Sequence, residues 1–187
     1  MHYVDKRFPD QSSSHDRAAP YRTASVTYIV WGGAVTRNRM ARFMELSDLY
    51  SERILEIAAN PPKSGRLADP DVSARRVSRI CGSVIDVDLK LRDGVIVAYG
   101  HEVSACALGQ TSAAIVAREI VGTRATEFRA VRETMTAMLK ANGAPPTGKW
   151  SDLGYLEPVR EFKPRHTSTL LVFDAITDAL DKLEQKS

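Results

Sequence analysis

From residue 84 onward, apolar and polar side chains alternate. Ile85, Val87, Leu89 and Leu91 fall on one side, with Asp86, Asp88 and Lys90 on the other. That period of two is the signature of a half-buried strand. Asp93-Gly94 follows, a dipeptide that favours a tight hairpin, so residues 95–103 are expected to run back antiparallel. Residues 73–80 read as a first strand, with weaker alternation and several arginines. Elsewhere the spacing is helical. Leu46, Leu49, Tyr50, Ile54, Ile57 and Ala58 share a face. Asn60-Pro61-Pro62 ends that helix, because a residue before proline is pushed out of the α region. Leu108, Ser112, Ile115, Val116 and Ile120 make a second stripe closed by Gly122, and Phe128, Val131, Met135, Met138 and Leu139 a third, stopped at Asn142-Gly143. Residues 144–149 form a linker, and 151–162 have room for a short helical turn. A last helix over about residues 165–183 would bury Val172, Phe173, Ile176, Ala179, Leu180 and Leu183. The sum is an α+β fold: a three-stranded antiparallel sheet with helices packed on one face, the last helix docked against the sheet.

Composition divides the chain unevenly. Residues 1–43 hold seven Lys/Arg against three Asp, and the remaining 144 hold 19 basic against 20 acidic residues. The basic balance therefore belongs to the N-terminal stretch and argues little for a nucleic-acid surface on the domain. Ser12-Ser13-Ser14, Pro9, Pro20 and scattered charge make residues 1–43 read as a disordered extension, with the domain at 44–187. Natural translation is expected to start at Met40 or Met44. The apolar stretch from Val26 to Trp31 is too short, and preceded by too many acids, for a secretory signal. No apolar run reaches the ~20 residues of a membrane span.

Cys81 and Cys106 are the only two cysteines in 187 residues. Two are too few for a disulfide scaffold, which points to a reducing, cytoplasmic compartment. The hairpin between them brings both to one end of one sheet. Cys81 precedes a glycine at a strand turn; Cys106 stands at a helix start, with Ser104 expected as N-cap, where free amides favour a thiolate. On spacing alone, two small buried hydrophobes remain the alternative to a metal or sulfur site.

Three segments in order narrow this: Asn60-Pro61-Pro62-Lys63-Ser64-Gly65, then Cys81-Gly82, then Ala105-Cys106-Ala107-Leu108-Gly109-Gln110-Thr111-Ser112-Ala113-Ala114-Ile115. Over roughly residues 45–183 the chain resembles the iron–sulfur cluster assembly scaffold family of NifU, IscU and SufU type, including Val159, Phe162 and Arg165 ahead of the last helix. The resemblance implies a site of three cysteines and one aspartate at one end of the sheet. Such a site holds a transient iron–sulfur cluster, or zinc, and receives sulfur from a cysteine desulfurase. Cys81 and Cys106 match the first two cysteines; Ser83 stands at the aspartate position and Ser168 at the third cysteine, or Thr167 in a register shifted by one. A hydroxyl is a poor ligand beside a soft thiolate. His166, two residues before Ser168, is the candidate to complete a Cys81–Cys106–His166 metal set, and His101 is a weaker candidate. Asp86 and Asp88 read as solvated, Met135 and Met138 as core, and the basic run Arg160, Lys163, Arg165 as solvated or facing a desulfurase.

The expected function is a non-enzymatic scaffold or carrier in iron–sulfur assembly. Its partners would be a cysteine desulfurase and cluster acceptors, with a homodimer to complete the ligand set, and with neither nucleic acid nor membrane. The alternatives are a degenerate homologue serving as a desulfurase-binding or zinc-binding module, and a sulfurtransferase carrying a persulfide on Cys106.

Overall fold

The computed structural model describes residues 49–62 and 65–186. The expected N-terminal extension, with Met40 and Met44, lies outside the described residues. Helix α1 spans Glu52–Ala59 and buries Ile54 and Ile57; the Ser51 hydroxyl caps it, accepting from the Ile54 amide at 3.3 Å. Strands β1 (Val72–Val77), β2 (Val84–Arg92) and β3 (Val95–Ser104) follow and pair antiparallel in the order β1-β2-β3. Asp93 and Gly94 both take positive φ, 51° and 72°, the conformation a two-residue hairpin needs.

Helices α2 (Ala107–Glu119) and α3 (Ala125–Lys140), a 3-10 helical stretch (Gly148–Glu161) and helix α4 (Lys163–Glu184) complete the chain. The 3-10 stretch is longer than the short turn expected. Its inward residues Trp150, Leu153, Leu156 and Val159 recur every third position, which suits three residues per turn. The last helix begins at Lys163, two residues before the expected start.

Val72, Ala74, Ile85, Val87 and Leu89 are buried on one face of the sheet, and α4 packs across β1 and β2. Phe173 of α4 stacks on Phe128 of α3 at 5.9 Å between ring centroids, and Trp150 meets Phe128 edge-on at 6.0 Å. Burial of the apolar face of α4 contributes on the order of 10 kcal/mol before conformational entropy is set against it.

The opposite face of the sheet departs from expectation. Asp88 is not solvated: only 1 % of it is exposed. Its carboxylate accepts from Arg66 Nε at 2.6 Å, Arg66 Nη2 at 2.7 Å, the Leu67 amide at 3.0 Å and Ser73 Oγ at 2.5 Å. The hydrogen bond from Arg66 holds the Asp88 carboxyl down to about 2, against the opposing effect of burial. Asp86 is half-buried and paired with Arg75 at 2.6 Å. The segment carrying Arg66 and Leu67 lies over the sheet at Gly100, where an added Cβ would stand 2.6 Å from the Gly65 carbonyl oxygen and 2.9 Å from the Leu67 nitrogen. Beneath it His101 is buried, stacked on Tyr99, and burial alone lowers its pKa.

Candidate functional site: a two-thiol cluster

Between β1 and β2 the chain turns tightly. The Ser78 amide donates to the Ser83 carbonyl and the Gly82 amide to the Ser78 carbonyl, both at 2.8 Å. This turn sets half-buried Cys81 between two buried hydroxyls, its Sγ 3.2 Å from Ser78 Oγ and 3.1 Å from Ser83 Oγ. Ser78 was not legible as a site residue. Its only signal is that it faces Ser83 across the turn.

Cys106 itself is the N-cap of α2 and gives no side-chain cap bond. Ser104, the expected cap, is the last residue of β3, so the strand runs too far for it to serve. Gly109 in the first turn of α2 lies close to α4: a Cβ there would stand 3.2 Å from the Ser168 carbonyl oxygen. That approach brings Cys106 Sγ to 3.6 Å from Ser168 Oγ. The Ser168 hydroxyl itself donates to the Arg165 carbonyl at 3.0 Å. Burial pushes the Cys81 thiol up, but the hydroxyls of Ser78 and Ser83, with the Ser83 backbone, stabilise its thiolate and leave it below the ordinary thiol value.

His166 does not join this cluster, contrary to expectation. It lies buried on α4, with Nε2 3.1 Å from the carbonyl oxygens of both Val159 and Arg160. A ring nitrogen facing two acceptors carries the proton, so Nε2 is not free to bind a metal. Because α4 starts at Lys163, His166 and Ser168 are both helical and stand about 200° apart around the axis. His101 is likewise held on β3, opposite Val87. Among the described residues, no group of three or more His, Cys, Asp or Glu side chains stands together as a metal would require. The arrangement offers two soft sulfur donors, each beside serine hydroxyls, one of them predisposed to ionise.

Residues 49–154 match the family described as NifU-like N terminal domain. The chain belongs to that family. Iron–sulfur cluster assembly is the work of this scaffold family, and its members are not enzymes. A transient cluster is the family's cargo, and desulfurases and acceptor proteins are its typical partners. A crystallised nitrogen-fixing NifU-like protein (N-terminal) from Brucella abortus is 49 % identical, with a TM-score of 0.75, covering 76 % of this chain and 99 % of that one. The iron–sulfur cluster assembly scaffold protein IscU of Thermotoga maritima is 26 % identical over 137 residues, 73 % of this chain and 96 % of its own. A putative scaffold protein of the SUF system from Fervidobacterium islandicum AW-1 shares the fold at 18 % identity, with a TM-score of 0.66 over 72 % of this chain and 98 % of its own. The α+β architecture read from the sequence is that of the NifU-like neighbours. Among the described residues no helix is long and apolar enough to cross a membrane.

Proposed function

We propose that this NifU-like chain scaffolds iron–sulfur clusters in the cytoplasm through Cys81 and Cys106, each protomer supplying two thiolates to a cluster shared with a second copy. The observation that carries this reading is that each sulfur meets serine hydroxyls: Cys81 Sγ lies 3.2 and 3.1 Å from Ser78 and Ser83 Oγ, and Cys106 Sγ 3.6 Å from Ser168 Oγ. Val84 pairs with Ser104, which sets the Cys81 turn and the start of α2 at the same end of the sheet. Clusters of the two-iron and four-iron types take four protein ligands. One protomer offers two thiolates, since Ser83 and Ser168 are hydroxyls, so two protomers make the count. Val77 and Ile80, 52 % and 68 % exposed beside Cys81, give a second copy an apolar surface to cover. A cysteine desulfurase as sulfur donor follows from the family.

Anaerobic reconstitution with ferrous iron and sulfide, read by iron counting and visible absorption, tests the proposal. Wild type is expected to hold the chromophore, and Cys81→Ser and Cys106→Ser to lose it. Equal, negligible iron in all three would favour an interaction module that binds partners without holding a cluster.

A further inference from the structure

The basic run ahead of α4 does not stand alone. Arg160 and Lys163 are joined in space by Lys140, from the last turn of α3, and the three cations line a surface cavity of about 480 Å³ with Leu139, Glu161 and Thr167. Glu161 is the one carboxylate of the lining, which leaves it net positive. Lys140 and Lys163 are exposed and have no hydrogen-bond or ion-pair partner among the described residues. Arg160 gives Nη2 to Glu157, while its buried Nε has no hydrogen-bond partner among the described residues. A buried donor without an acceptor is unfavourable, and an incoming oxygen would relieve it.

We propose that this cavity seats a carboxylate-rich segment of a protein partner. It is far larger than an inorganic oxyanion, and its cations come from three separate elements: the end of α3, the end of the 3-10 stretch and the start of α4. Such spacing suits several carboxylates along a chain better than one compact anion. Leu139 adds an apolar wall for the stems of the acidic side chains. His166 and Thr167 line the cavity from α4, so it lies on a different side of that helix from Ser168, which touches Cys106, and its chemistry does not rest on the scaffold reading.

The test is a nuclear magnetic resonance titration of the metal-free full-length chain with a hexaglutamate peptide. The amides of Lys140, Asn142 and residues 160–167 should shift together. Lys140→Glu with Lys163→Glu should weaken binding at least roughly tenfold, because reversed charges repel as well as fail to attract. Arg124→Glu with Lys186→Glu, an equal change of charge elsewhere, should leave binding in place. Equal weakening in both double variants, or shifts scattered over every basic surface, would overturn the proposal. So would inorganic phosphate that moves the same amides and displaces the peptide at equal concentration, since the site would then be one for free anions. Lys163→Gln gives the same comparison in smaller measure if the double variant does not fold. Cluster reconstitution is measured separately, so either reading can fail while the other stands.

Discussion

Ser168 sets its hydroxyl oxygen 3.6 Å from the sulfur of Cys106, at the point where α2 and α4 meet. A cysteine here would turn that hydroxyl into a third thiol without a change of shape. Ser168→Cys is therefore expected to tighten zinc binding at least roughly tenfold, as a soft donor replaces a hard, protonated one. Competition with a chromophoric chelator measures it. Unchanged affinity would mean that position 168 does not face the metal.

His166 gives the opposite result in the same assay. Its Nε2 is committed to the carbonyls of Val159 and Arg160 and its side chain leaves α4 about 200° from Ser168, so His166→Ala should leave metal stoichiometry as in wild type. It should cost about 1–3 kcal/mol of stability, because two buried acceptors lose their donor. Urea unfolding beside metal analysis separates the two effects. Loss of metal with stability intact would restore His166 as a ligand.

Acid should weaken the fold in two windows. The Asp88 carboxyl sits at about 2 in the folded chain, below its ordinary value. The unfolded chain binds that proton first, so the contribution of Asp88 is full above about pH 4 and is lost as pH falls towards 2, about 2 kcal/mol in all. Buried His101 is also lowered, so stability begins to fall once pH drops below the ordinary histidine range near 6.5. Urea midpoints between pH 7 and pH 2 should show both slopes. Asp88→Asn should remove the lower one and His101→Gln the upper.

Gly100 admits the segment that carries Arg66 over the sheet. A Cβ at 2.6 Å from the Gly65 oxygen and 2.9 Å from the Leu67 nitrogen would meet backbone, which cannot swing aside as a side chain does. Gly100→Ala should thus cost about 1–3 kcal/mol and loosen the Arg66–Asp88 pair. Faster amide exchange at Leu67 would register that loosening; wild-type exchange and stability would argue against the close approach.

What the sequence disclosed was periodic or local. Ile85, Val87 and Leu89 declared the buried face of β2, Asp93-Gly94 declared the hairpin, and the α3 stripe ended where Asn142 takes positive φ. The family motifs singled out Cys81 and Cys106, and each meets a serine hydroxyl. What it hid was non-local. Alternation assigns Asp88 to the polar face but cannot tell whether water or Arg66, 22 positions away, lies over it. His166 was misplaced although the expected helix over residues 165–183 already held it: two helical positions apart, it and Ser168 leave α4 on different sides. Ser104 lost its capping role to the length of β3, which pairing with β2 determines.

Whether the two sulfurs act as one site is settled most directly by cadmium titration of the reduced protein, followed by the thiolate-to-metal charge-transfer band. Two thiolates per chain should ligate together, and either Cys81→Ser or Cys106→Ser alone should weaken binding by roughly a hundredfold, since the surviving sulfur loses the effective concentration of its neighbour. If each single variant instead keeps half the band at unchanged affinity, the thiols are independent and the scaffold has no shared site at this end of the sheet.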